Sequence, residues 1–165
     1  MIVLVGFMGA GKTTVGRLLA DKLGVAFTDS DHVIEARAGK PIPRIFADDG
    51  EPAFRQLEHD VIAGLLHGED KVLALGGGAA THAGTRAVLA AAAVPVVYLR
   101  IGYAQAMSRV GGDRDRPMLA LSDAAQLHKD RDPLYVQAAT LTVDAGDRCP
   151  EEIARDILGR LHAVG

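Results

Sequence analysis

Gly6-Phe7-Met8-Gly9-Ala10-Gly11-Lys12-Thr13 carries the spacing G-x-x-x-x-G-K-T. Glycines let backbone N–H groups converge on an anion with no Cβ in the way. A helix starting at this point adds partial positive charge from its N-terminus. Lys12 is then in reach of the terminal phosphates of a nucleotide, and the Thr13 hydroxyl can ligate Mg²⁺. The flanks suit this reading. The apolar run Met1–Val5 precedes the loop, and Val15, Leu18, Leu19 and Leu23 follow on one helical face, with Gly24 as a stop.

Four other groups of residues could do chemistry beside a bound phosphate. Asp29 and Asp31 end an apolar run. One carboxylate can hold a metal through water, and the other can accept or orient a substrate hydroxyl proton. The competing reading is that Ser30 or Asp31 caps the next helix. Arg55 stands one helical turn from Glu58, which permits either an exposed ion pair or a guanidinium held ready for a carboxylate. Gly76-Gly77-Gly78 after a third apolar run suggests close approach of backbone to a ligand. Arg114 and Arg116 in a glycine-rich charged segment could close over a phosphoryl group in transfer, or could simply keep a loop solvated. Arg131 reads by itself as a surface residue of a helix, and Arg109 either faces a nucleotide or caps a helix C-terminus. The six histidines show no metal-ligand spacing. Cys149 has no catalytic partner and reads as a small buried filler.

The elements that must position these groups follow from the hydrophobic pattern. Strands are expected at 1–5, 25–28, 71–75, 94–99 and 140–143. Helices are expected after each of them, including 83–93, 102–110, 122–138 and one opening at Pro150. Gly39–Pro43 reads as a break, and Asp48–Pro52 as the entry to a helix bearing Phe54, Leu57, Val61 and Leu65. The segment 111–117 has no apolar face and reads as a mobile surface loop. Strands alternating with helices imply an α/β fold with a parallel sheet, and ligands in such folds bind outside the carboxyl ends of the strands. That rule gathers residues 6–13, 29–31 and 76–78 around one crevice.

The chain has 165 residues, 48% hydrophobic and 24% charged, with a net charge of −3. This suits one domain and gives no sign of a nucleic-acid partner. No apolar run is long enough to span a bilayer, and a lone cysteine excludes an internal disulfide, so a cytoplasmic location is expected.

Taken together, GFMGAGKTTVGRLLA, the DSD at 29–31, IFADDGEPAFRQLE, LALGGGA, RDRPML and RDPLY make the chain resemble the shikimate kinases, within the nucleoside-monophosphate-kinase-like branch of P-loop proteins. The resemblance runs nearly end to end. It implies a three-layer fold with a five-stranded parallel sheet, helices on both faces, a substrate-binding region over about 31–60 and a lid over about 111–122, all within a single domain of residues 1–165. It implies ATP with Mg²⁺ as phosphoryl donor and the 3-hydroxyl of shikimate as acceptor. By motif, Gly9, Ala10, Gly11, Lys12, Thr13 and Thr14 would cradle the phosphates, and Thr13 and Asp29 would serve the metal. Asp31 would hold the acceptor hydroxyls and act as base or orienter. Arg55 and Arg131 would grip the carboxylate, with Gly77 and Gly78 lining the substrate site and Phe46 and Phe54 flanking it. Arg116 would be the lid arginine, and Arg109, Arg148 and Pro150 would lie by the adenine. A monomer is implied as well. Pro43, and Met118 where leucine is usual, depart from the pattern and bear on the shape of the pocket. A kinase for a related polyol acid such as quinate, gluconate or an amino-shikimate, or a nucleotide-binding module without catalysis, are the alternatives.

Overall fold

The computed structural model describes residues 1–110 and 121–164. Arg114, Arg116 and Met118, and with them most of the expected lid, lie outside the described residues. Five strands, β1 (Ile2–Val5), β2 (Ala26–Asp29), β3 (Lys71–Ala74), β4 (Val96–Arg100) and β5 (Leu141–Asp144), form one parallel sheet in the order β2-β3-β1-β4-β5. The most apolar runs take the centre, because a strand covered on both faces has no polar side to offer. Val3, Leu4, Val72, Leu73, Val97 and Leu99 are all buried there. Ile2 pairs with Val72, and Leu4 with Val97. The strands expected from 25, 94 and 140 begin one or two residues later. Pro95 stays outside β4 because it has no N–H for the ladder, and its carbonyl accepts from Val3 N–H at 2.9 Å.

The crossovers set the layers. From β1 the chain passes through α1 (Lys12–Leu23) towards the β2 edge. From β3 it passes through α5 (Ala83–Ala91) in the opposite direction, to β4. Right-handed crossovers in opposite directions put their helices on opposite faces. Accordingly α1 packs on α8 (Pro150–Val164), while α5 packs on α4 (Glu51–Leu65) and α7 (Leu121–Ala138). The loops leaving β1 and β3, neighbours in the sheet, therefore diverge and open a crevice between them.

A smaller cluster of Ile34, Ile45, Phe54 and Val61 joins α2 (Ser30–Ala38), α3 (Ile42–Asp49) and α4. Helix α3 is an element the sequence pattern did not reveal. Two prolines nearby suggested a break, but the extended Pro41 precedes the helix and Pro43 falls in its first turn, where a missing N–H costs nothing. Ile42, Ile45 and Phe46 then make the apolar face at helical spacing. Two further expectations are corrected. Leu23, expected to face inward, is 41% exposed in the last turn of α1. Cys149 is exposed rather than buried; it precedes α8 and its carbonyl accepts from Glu152 and Ile153 N–H. No helix among the described residues is long and apolar enough to cross a membrane.

Candidate active site

The divergent loops of β1 and β3 border a cleft of about 1150 Å³. Gly9, Ala10, Gly11, Lys12, Thr13 and Thr14 line one end of it. Gly9 and Gly11 have φ of +78° and +91°, a region that L side chains avoid. Gly11 caps α1 with no side-chain hydrogen bond, which leaves the first-turn N–H groups for a ligand. Lys12 Nζ donates to Gly6 O at 2.6 Å and Phe7 O at 3.1 Å, so the loop wraps round its own ammonium group.

Asp29 and Asp31 take different tasks. Asp29 is the cap of α2, and its Oδ1 accepts from Asp31 N–H at 2.9 Å. Ser30, expected as a possible cap, is instead fully buried, and its Oγ accepts from Gly76 N–H at 3.2 Å. That bond ties the end of β2 to the loop after β3. Asp31, with no capping role, lines the cleft. A Cβ on Gly76 would lie 2.6 Å from Asp31 Oδ1 and 3.2 Å from Glu58 Oε2, so the first of the three glycines admits both carboxylates. Burial, and then the Asp29 charge, hold the Asp31 carboxyl above its ordinary range, with Lys12 opposing. A raised carboxyl is a better proton acceptor than a solvated one.

Arg55 is no surface ion pair. Its Nη1 donates to Glu58 Oε1 at 2.7 Å, and Glu58 is 1% exposed. The guanidinium also lies 5.1 Å from the Phe54 ring. Burial raises the Glu58 carboxyl, against the pull of Arg55. A side chain on Gly78 would overlap the Arg55 guanidinium, and a Cβ on Gly77 would meet Arg131 Nη1 at 3.6 Å. Arg131 comes from α7, on the far side of the cleft in sequence. One turn on, Tyr135 donates its hydroxyl hydrogen bond to Gly77 O. Arg55 Nε and Arg131 Nε are buried with no hydrogen-bond acceptor, although Glu51 Oε1 stands 3.5 Å from Arg55 Nε as an ion-pair partner. Buried donors without an acceptor are costly, and they fit a site that an anion completes. Phe46 and Phe54 line the same end, with ring centroids 4.6 Å apart.

Arg109, Arg148 and Pro150 line the cleft as well. Arg109 donates to Gly9 O at 3.2 Å and Ala145 O at 3.3 Å, bridging the glycine loop to the end of β5. Arg148 is held by Asp156 at 3.0 Å. Thus each expected site residue among the described ones lines one cleft, whereas Arg116 lies outside them. Among the described residues no three His, Cys, Asp or Glu side chains gather as metal ligands. The Thr13 hydroxyl and the Asp29 carboxylate line the cleft with the loop and offer one oxygen donor each. That set fits Mg²⁺, which takes one or two protein oxygens and keeps water and phosphate for the rest.

A family model described as shikimate kinase matches residues 8–162. The chain belongs to the shikimate kinase family. It is 48% identical over 168 aligned positions to the shikimate kinase of Thermobifida fusca, covering 100% of this chain and 96% of that protein. It is 47% identical to the shikimate kinase of Mycobacterium avium, covering 98% of this chain and 93% of that protein. Its structure is similar to that of a shikimate kinase from Acinetobacter baumannii in complex with shikimate, with a TM-score of 0.90 and 42% identity, over 98% of this chain and 92% of the other. Membership in the family agrees with the expected fold.

The sequence did not reveal the Ser30–Gly76 bond, the Tyr135–Gly77 bond or a bond from the buried Tyr98 to the half-exposed Asp132. The available signal was a polar-tipped aromatic inside an apolar strand or helix, since a buried tyrosine hydroxyl needs a partner.

Proposed function

We infer that this chain transfers the γ-phosphoryl group of ATP to the 3-hydroxyl of shikimate, giving shikimate 3-phosphate and ADP, a step towards chorismate and the aromatic amino acids. One observation carries the reading: Asp31, Arg55 and Arg131 open into the same cleft as the glycine loop. A kinase for a hydroxy acid needs a phosphate cradle, a hydroxyl acceptor and a carboxylate clamp, and the glycine loop, Asp31 and the Arg55–Arg131 pair support that reading.

In this reading the loop N–H groups and Lys12 hold the β- and γ-phosphates. Arg55, fixed by Glu58, and Arg131 hold the acid carboxylate. Asp31 accepts a hydrogen bond from the attacking hydroxyl and takes its proton as the phosphoryl group moves in line. Positioning and charge neutralisation supply most of the rate, because the transfer asks little covalent chemistry of the protein. Mg²⁺ bound with the nucleotide would be held by Thr13 and, through water, by Asp29, and would neutralise phosphate charge. Arg109, Arg148 and Pro150 flank the adenine, and Arg116 is assigned to the lid by motif. The chain works as a cytoplasmic monomer, which light scattering would test for oligomeric state.

A coupled assay of ADP release at fixed Mg²⁺–ATP, with and without shikimate and with quinate and gluconate as other acceptors, tests the reading. Release that depends on shikimate and exceeds that with the other acids supports it. Greater turnover with another acid favours the polyol-acid kinase, and ATP binding with no acid-dependent release favours a non-catalytic nucleotide module.

A further inference from the structure

Arg131 is carried by a stretch of α7 that the helix itself holds poorly. Pro133 sits inside the helix. A proline there removes one backbone hydrogen bond, and its ring presses on the carbonyl four residues back. The kink-prone site is thus two residues from a guanidinium that must hold a fixed position.

Two tyrosines fasten the chain on either side of that proline. Before it, Tyr98 of β4 donates its hydroxyl hydrogen bond to Asp132 Oδ1 at 2.6 Å. Beyond it, Tyr135 donates to Gly77 O. The two are coupled, because the Tyr98 and Tyr135 rings lie 5.0 Å apart. Both residues are 1% exposed. Arg100, next along the solvent end of β4, reaches the same Asp132 oxygen at 3.4 Å and covers the Tyr98 ring at 5.6 Å. Burial, followed by Asp132, pushes the Tyr98 hydroxyl well above its ordinary range, so it remains a donor at any working pH. A hydroxyl donating to a carboxylate is one of the stronger hydrogen bonds.

We propose that Tyr98 and Asp132 are positioning residues for the acid clamp. Their bond docks the proline-weakened turn of α7 on β4 and so sets where Arg131 meets the substrate carboxylate. The proposal rests on the reading that Arg131 grips that carboxylate. It extends the acid site to the middle of β4 and to Asp132 of α7, both outside the cleft lining.

The test is steady-state kinetics on the full chain with Tyr98→Phe, Asp132→Ala and Asp132→Asn, each also combined with Arg131→Ala. Tyr98→Phe keeps the ring and its packing, so the fold survives, and a thermal melt checks that. The expected result is a KM for shikimate raised roughly three- to tenfold in Tyr98→Phe and Asp132→Ala, the size of one net hydrogen bond. The KM for ATP and kcat stay within about twofold, inside the scatter of independent sites. Asp132→Asn, whose amide oxygen still accepts from Tyr98, recovers most of the affinity. In the Arg131→Ala background Tyr98→Phe adds nothing further. A Tyr98→Phe variant with unchanged KM for shikimate, or one whose effect persists undiminished without Arg131, overturns the proposal while leaving the kinase reading intact. A wild-type protein inert with shikimate overturns that reading and the proposal together.

Discussion

Glu58 Oε1 accepts from Arg55 Nη1 at 2.7 Å from a position where Glu58 is 1% exposed. A carboxylate so placed does not stabilise the fold cheaply, because two charges have been taken out of water. It stands where it fixes the direction of a guanidinium. The account therefore expects Glu58→Gln to retain much of the fold while raising the KM for shikimate about tenfold, as charge-assisted hydrogen bonds of this kind govern. Parallel measurement of KM for both substrates checks it, since the KM for ATP should not move.

Gly78→Ala should act on the same guanidinium without touching the backbone. Gly78 has φ −101°, which alanine adopts freely, yet the new Cβ would overlap the Arg55 guanidinium. A side-chain end can swing aside, so the melting temperature should change little while the KM for shikimate rises about tenfold or more. Gly6→Ala is the contrast. Its φ is +154° and its Cβ would stand 2.7 Å from the backbone oxygen of Leu99, so that variant should lose stability, as a thermal melt would record.

Much of this was legible in the chain. The glycine loop declares itself by spacing, and the rule that parallel sheets bind ligands at their carboxyl ends gathers residues 6–13, 29–31 and 76–78, whereas Arg148 and Pro150 enter only with the family resemblance. What the pattern left open was whether Arg55 and Arg131 were surface residues. A sequence gives the helical turn between Arg55 and Glu58 but not the burial that sets their ion pair apart from an ordinary surface one. Helix α3 was hidden because prolines signal breaks and helix starts alike. Cysteine is commonly buried, whereas the turn before α8 leaves Cys149 in solvent. The Ser30, Tyr98 and Tyr135 bonds join residues 30 to 60 positions apart in sequence, and only the packed sheet brings them together.

Asp31→Asn should separate stability from activity. The folded protein holds the Asp31 carboxyl above its ordinary value of 3.8. The native state therefore binds a proton more readily than the unfolded chain, so this group's contribution to stability is complete below pH 3.8 and is lost as pH rises through the folded value. At pH 7 the ionised carboxylate is a net cost, and the asparagine variant should melt at a higher temperature than wild type while its kcat falls about 10²-fold or more, the usual scale of general-base catalysis. Paired melts at pH 4 and pH 7 check the sign, because the advantage of the variant should shrink on the acid side.

Lys12→Ala should lower kcat by about 10²–10³, the usual loss when one charge-stabilising donor is removed. The fold should survive, since Lys12 Nζ donates to the loop carbonyls of Gly6 and Phe7, which belong to the phosphate loop itself. Single-turnover kinetics with circular dichroism on the same sample separates the two effects.

The central claim is that Arg55 and Arg131 hold the acid by its carboxylate. The most direct measurement is the ratio of kcat/KM for shikimate to that for its methyl ester, in wild type and in Arg55→Ala. The account predicts that wild type prefers the free acid by about 10²-fold, as expected for desolvated guanidinium–carboxylate pairs, and that the preference nearly vanishes in the variant. An equal preference in both proteins would contradict it.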